Sequence, residues 1–175
     1  ELKAGLMEFP QSGQVVIRSS WEENAGWLYF INGPLGGGHG HQDKLHIGLW
    51  LNGEEVLTDS GRYTYTDTAE RYELKKARAH NVPMIKGQEY AESKDTWTYY
   101  GLPQCYPNQV CKKDGYLFIE GAHGGYEAQG IVVRRRIVAV DFDILAVSDT
   151  FFGNVTGEIV QMFHFGETIR LSATE

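Results

Sequence analysis

No stretch of this sequence is apolar over a long enough run to cross a bilayer, so a membrane-spanning helix is excluded. Cysteine is scarce: Cys105 and Cys111 are the only two. They either bridge a loop around Pro107 or stand as free thiols, and two cysteines do not fix a redox compartment. Positive charge is the minority sign, with 16 Lys and Arg against 23 Asp and Glu and a net charge of -7. Non-specific binding to DNA or RNA depends on the opposite sign, so nucleic acid is set aside. A polyanionic sugar remains compatible, because local basic clusters matter more than the sum. There is no strong helical period beyond two turns and no internal repeat. The chain also begins without an initiator Met or a signal peptide, and Glu1-Leu2-Lys3 reads as a cut inside a longer protein.

What is present is glycine and aromatic side chains. The 175 residues include 21 Gly, ten Tyr and four Trp. A single domain of this size buries a real core, and this composition predicts short strands joined by tight turns. Strands are expected over 14–19, 26–31, 45–51, 54–59, 116–120, 131–140, 143–151, 159–165 and 168–171. Residues 66–76 are polar and have room for one short helical turn, with Asp67 as its cap. Residues 102–114 read as a loop rich in Pro, Asn and Lys, and 121–125 as a glycine break around His123. The fold class that follows is all-β: a large antiparallel sandwich with at most short helical turns.

The chain is organised around Gly36-Gly37-Gly38-His39-Gly40-His41-Gln42-Asp43. If that stretch is extended, His39, His41 and Asp43 point to one face, on a surface where glycine lets the backbone approach a ligand. Asp59 and His80 follow downstream. His41, Asp59 and His80 would offer zinc two nitrogens and a carboxylate and leave one position open. The plainer reading makes His46 and His80 hydrogen-bonded structural residues. Asn52-Gly53 is a strong hairpin signal. A two-residue turn there sets His46 opposite Asp59, and one bulge would reverse that facing.

Tyr63, Tyr65 and Tyr72 lie near this cluster in sequence. Tyrosine serves as a general acid or base where a cation lowers its pKa, although a strand-edge tyrosine is commonly core with a wet tip. Tyr65 and Tyr72 are the candidates taken forward. Arg62, Arg71, Lys75, Lys76 and Arg78 make a basic segment between Asp59 and His80. It is either a solvated face or an anion-recognition surface, with Arg62 and Arg78 as its substrate-binding candidates. Arg134-Arg135-Arg136 alternates along its strand and reads as structural.

Three blocks occur in order: Gly38-His39-Gly40-His41-Gln42-Asp43-Lys44-Leu45, then Asp59-Ser60-Gly61-Arg62-Tyr63-Thr64-Tyr65, then Arg78-Ala79-His80-Asn81. Together they resemble the signature of the heparinase II/III-like polysaccharide lyases. Phe9-Pro10-Gln11-Ser12-Gly13, Ala122-His123-Gly124-Gly125-Tyr126 and Phe163-His164-Phe165 match the same family, so the likeness runs from Phe9 to Gly166. It implies the β-sandwich domain of an enzyme whose N-terminal α/α toroid is absent here. Such enzymes cleave uronic-acid polysaccharides, of heparin or heparan sulfate type or related, by β-elimination. It further implies a catalytic or carboxylate-facing role for His39. His41, Asp59 and His80 become ligands of a structural metal, zinc by preference, and the strand register between His41 and Asp59 becomes irregular. The expected partners are an acidic polysaccharide and the toroid of the same protein, with no nucleic acid and no membrane. The expected compartment is periplasmic or extracellular. The isolated domain is expected to be inactive, because the cleft needs both walls.

Two rival readings come from other classes. One is a non-catalytic carbohydrate-binding or structural sandwich whose histidines only hold a metal. The other is a cupin-like metal enzyme, which would place a Glu shortly after the His-x-His block, where Asp43 is a poor substitute.

Overall fold

The computed structural model describes residues 5–35 and 38–172. Gly36 and Gly37, the first two glycines of the organising stretch, lie outside the described residues. The fold is an all-β sandwich of antiparallel sheets. Its strands are β1 (Leu6–Phe9), β2 (Gln14–Arg18), β3 (Trp27–Ile31), β4 (His46–Leu51), β5 (Glu54–Leu57), β6 (Pro83–Ile85), β7 (Glu92–Ser93), β8 (Tyr99–Tyr100), β9 (Cys105–Lys113), β10 (Tyr116–Tyr126), β11 (Ile131–Val140), β12 (Ile144–Phe152) and β13 (Ile159–Gln161). The first five form one sheet in chain order, and β12-β11-β10-β9 form the second. Two small pairs, β13-β6 and β7-β8, complete the structure.

Alternation explains the packing. Along β2 and β3 every second residue is buried, which turns Val15, Ile17, Leu28 and Phe30 to one face. These side chains share a core with Leu117, Ile119, Val133 and Ile137 of the second sheet. Burying such aliphatic side chains contributes about 1.5–3 kcal/mol each before entropy is counted.

Several boundaries differ from expectation. The helical turn is α1 (Ala69–Leu74), and its cap is Thr68, whose hydroxyl accepts from the Arg71 N–H, rather than Asp67. Residues 102–114 are not a loop: most of them form β9. This strand lies at the edge of its sheet, where Pro107 need not donate to a ladder, and its Lys112 and Lys113 are of the kind that protects an open edge. Nor does β10 break at Gly121; it runs on to Tyr126 with a shift in pairing after His123. A Cβ at Gly121 would lie 2.7 Å from the Phe30 ring, so glycine there marks close sheet packing rather than a turn. Residues 168–171 form no strand. Cys105 and Cys111 are both free.

The Asn52-Gly53 turn pairs Leu51 with Glu54 as the sequence predicts, both turn residues having positive φ. Register then slips: Trp50 faces Glu55 but Leu49 faces Leu57, so Val56 is a bulge. The irregularity expected between His41 and Asp59 is therefore present.

Candidate metal and catalytic site

The organising stretch is not extended. Residues 38–45 are turn and coil, and Leu45 has φ 66°. The alternation argument consequently fails in part. His41 and Asp43 do line one cleft of about 270 Å³ with His46, Asp59 and His80. His39 turns away, is exposed, and packs edge-on against Tyr65 and Trp97, with ring centroids 5.3 and 5.7 Å apart.

Asp59 sits just past the bulged strand β5, in a turn closed by its own Oδ1, which accepts from the Gly61 N–H at 2.7 Å. Its Oδ2 lies 2.6 Å from Nδ1 of His80 and 3.6 Å from Nδ1 of His46. Burial alone would raise the Asp59 carboxyl. The hydrogen bond to His80, the fields of His80 and His46, and the Gly61 N–H outweigh it and hold the group below the usual carboxylate range. It is therefore a carboxylate at any working pH.

Ligand atoms of His46, Asp59 and His80 all lie within 4.8 Å of one another. The His41 ring stands beside them, its centroid 5.2 Å from that of His80. Desolvation, with the field of His80, lowers the His41 pKa to about 4. Desolvation also lowers His46 to about 4, against the opposing pull of Asp59. Both rings are thus neutral near pH 7, each with one ring-nitrogen lone pair, the protonation state a metal requires. His80 is buried and its Nε2 has no partner, an unusual cost for a ring nitrogen. A nitrogen-rich set with one carboxylate and an unsatisfied imidazole fits a divalent metal of zinc type.

The two flanking histidines are not equivalent. Nδ1 of His46 accepts the Asn81 N–H at 3.0 Å, so that lone pair is committed. Among the described residues the His41 side chain makes no hydrogen bond.

Asn81 holds the cluster together. It is fully buried, and its side-chain nitrogen donates to the carbonyls of Ile47 and Thr58 at 2.8 and 2.9 Å. Its Oδ1 accepts the His164 N–H at 2.6 Å, and its carbonyl accepts Nη1 of Arg135 at 2.5 Å. Every polar group of Asn81 is used, so β4, the end of β5 and residue 164 are tied to the segment carrying His80. Sequence reasoning gave no role to Asn81 or Trp97, and read His46 and Arg135 only as structural residues. Only the side-chain inventory of the buried Asn81 could have suggested one.

The remaining candidates are divided. Tyr65 is exposed beside His39, with the Arg62 guanidinium 4.2 Å above its ring. Tyr72 is elsewhere: it lines a separate groove with Gln42, Glu89 and Tyr100. Desolvation, reinforced by Asp67, moves its hydroxyl pKa up, opposite to what a general base needs. Arg78 pairs with Glu73 and borders a third groove with Lys86 and Met162, outside the cleft.

Comparison with known proteins gives a consistent picture. The family described as Heparinase II/III-like, C-terminal, matches residues 2–175. A heparin-sulfate lyase from Bacteroides stercoris is 36% identical over 62 residues, which cover 35% of this chain and 9% of that protein. A solved heparinase III aligns over 98% of this chain with a TM-score of 0.80 and 19% identity. The heparan sulfate lyase HepC from Pedobacter heparinus aligns over 89% with a TM-score of 0.74 and 18% identity. At such identities these alignments establish the fold. The chain spans about a quarter of the length of these solved relatives, 26% and 23%.

Proposed function

The chain belongs to the heparinase II/III-like family as its C-terminal region, and from that premise we propose that it is the sandwich domain of a longer lyase. The enzyme would cleave uronic-acid polysaccharides of heparin or heparan sulfate type by β-elimination. A base removes the proton at C5 of the uronate, the C4–O4 bond breaks, and the departing O4 takes a proton. The electrons left at C5 form the C4–C5 double bond. Carbanion character next to a carboxylate is the barrier, so the wall facing that carboxylate must present positive charge or hydrogen-bond donors.

In this reading His39 lies on the substrate side. It is exposed, pairs with no carboxylate among the described residues, and shares its open surface with Tyr65 and Arg62. Tyr65 is then the hydroxyl within reach for proton transfer, and Arg62 contacts the acidic chain. Tyr72 and Arg78 border other grooves, so this reading assigns the step to His39 and Tyr65. The other wall of the cleft would come from an N-terminal helical toroid, in a periplasmic or extracellular protein.

A divalent metal, zinc by chemistry, would be held by His41, Asp59 and His80. Such an ion would supply fixed positive charge that pins the loops carrying these residues to the sandwich. The observation that carries this choice is the committed Nδ1 of His46, which leaves His41 as the free imidazole next to His80. His46 then serves to position Asn81.

The test is product analysis. The full-length protein, incubated with heparan sulfate, should release oligosaccharides ending in a 4,5-unsaturated uronate, seen by ultraviolet absorbance and a mass equal to the intact sugars. Products heavier by one water at each cut would identify a hydrolase instead.

A further inference from the structure

Beside His39 a second set of side chains comes together, of which the roles above use only Tyr65 and Arg62. Tyr65 and Trp97 stack with ring centroids 5.7 Å apart and planes 20° apart. They are 45% and 39% exposed, unusually open for a stacked aromatic pair. Beneath them lies Arg71, buried, its guanidinium carbon 4.6 Å from the Trp97 ring centre and 5.5 Å from that of Tyr65. Its Nη1 donates to the Thr64 carbonyl at 2.5 Å and its Nη2 to that of Thr96 at 3.1 Å, while Nε has no partner. Lys75, also buried, gives its ammonium to the same Thr96 carbonyl at 2.6 Å.

Neither buried cation has a carboxylate partner among the described residues. Buried charges are ordinarily paired, because desolvating an ion is costly. The nearby acid is Asp95, whose Oδ1 is taken by the backbone N–H groups of Trp97 and Thr98 at 2.7 and 2.8 Å. Arg62 adds a third cation over the outer ring. The result is an open aromatic surface backed by positive charge in a poorly screened setting. An apolar partner would gain nothing from that charge, whereas an acidic sugar uses both features.

We propose that Tyr65 and Trp97 form a stacking platform for one sugar ring of the polymer, and that Arg71, Lys75 and Arg62 hold an anionic group of that ring by their combined field. The C–H face of a pyranose packs on the aromatic rings, and cations of low solvent exposure act on an anion above them with little screening by salt. The anionic group is a carboxylate or a sulfate ester. The location of this sugar rests on the lyase reading, since His39 touches both rings.

The experiment measures affinity and turnover separately on the same full-length samples. Heparan sulfate oligosaccharide and the unsulfated polymer of the same backbone are titrated against wild type, Trp97→Ala, Trp97→Phe and Lys75→Met. Melting temperature serves as the check on folding. Trp97→Ala should weaken binding about 10-fold, as the loss of an aromatic contact does, while Trp97→Phe stays close to wild type. Lys75→Met should weaken binding about 10-fold, the order expected of one charge-assisted contact. If the weakening appears only with the sulfated chain the anion is a sulfate, and if it appears with both it is the carboxylate. Intact turnover with unchanged binding in Trp97→Ala and Lys75→Met overturns the platform and leaves the lyase reading standing. Binding lost in these variants, in a wild type that binds but does not cleave, supports the platform and overturns the lyase reading.

Discussion

Nη1 of Arg135 lies 2.5 Å from the carbonyl oxygen of Asn81, and through this contact the four-stranded sheet grips the segment that carries His80. The same nitrogen also donates to the Leu45 carbonyl at 2.9 Å, one residue before His46. The rest of the guanidinium makes a buried two-pronged pair with Asp149 at 2.8 and 2.7 Å. One side chain thus fixes both backbone segments from which the site histidines project.

Replacing Arg135 by Met should therefore be severe. It leaves Asp149 buried without its partner, and breaking a buried pair in this way costs about 3–5 kcal/mol. The double variant Arg135→Met with Asp149→Leu should recover part of that loss, because no uncompensated charge remains. Metal affinity should stay low in both, since the Leu45 and Asn81 carbonyls lose their common donor. Urea unfolding and a metal titration separate the two effects.

The two histidines beside His80 should behave differently. Purified protein should contain about one divalent ion per chain, and His41→Ala or Asp59→Asn should reduce that to a small fraction, since structural sites of this kind need every ligand. His46→Ala should retain the ion with affinity about 10–100-fold weaker, the usual cost of losing a residue that orients ligands. Elemental analysis after dialysis distinguishes them. Equal loss from His41→Ala and His46→Ala would make His46 a ligand.

Acid sensitivity should have a source outside the site. His123 is buried between Tyr90 and Tyr126, and desolvation, with a smaller effect of Lys44, lowers its pKa to about 3 from 6.5. The folded state then binds fewer protons than the unfolded one. The stabilisation is complete above about pH 6.5 and is lost as pH falls from there toward 3, by about 1.4 kcal/mol per pH unit for each such group. His41 and His46 add the same sign in metal-free protein. His123→Gln should flatten the slope of unfolding free energy against pH between 6 and 4 by about one proton. An unchanged slope would mean that His123 is protonated in the fold.

Gly121 tests the packing of the sandwich. Alanine there brings Cβ to 2.7 Å from the Phe30 ring and 2.9 Å from Oδ1 of Asn108. Overpacking of this kind costs about 1–3 kcal/mol. Gly121→Ala should lower the midpoint of urea unfolding by a corresponding amount, and an unchanged midpoint would mean that the sheets give way at Phe30 without cost.

Much of the scaffold can be read directly because alternation and turn chemistry are local. Val15, Ile17, Leu28 and Phe30 announce their inward face, and Asn52-Gly53 announces the hairpin. What escapes reading depends on distant partners. Pro107 and Lys112 look like loop residues until β9 is known to be an edge. Gly121 looks like a break until Phe30 is placed against it. Asp67 and Thr68 are both good caps, and only the geometry picks the second. At the site, His41, Asp59 and His80 can be grouped from order and residue type. The coil path that separates His39 from them, and the grip of Asn81 on His46, are tertiary facts. The Val56 bulge is likewise invisible to counting, since it depends on how β5 meets β4.

The account depends most on His39 acting at the open side of the site while the neighbouring donors hold the metal. The direct measurement is turnover of heparan sulfate by full-length His39→Ala, followed by the ultraviolet absorbance of the unsaturated product, with metal content and melting temperature determined on the same sample. The account predicts a fall in kcat of at least about 100-fold, the usual scale for a lost proton-transfer or charge-stabilising group, with metal and folding unchanged. Turnover equal to wild type in a folded, metal-loaded His39→Ala would contradict it.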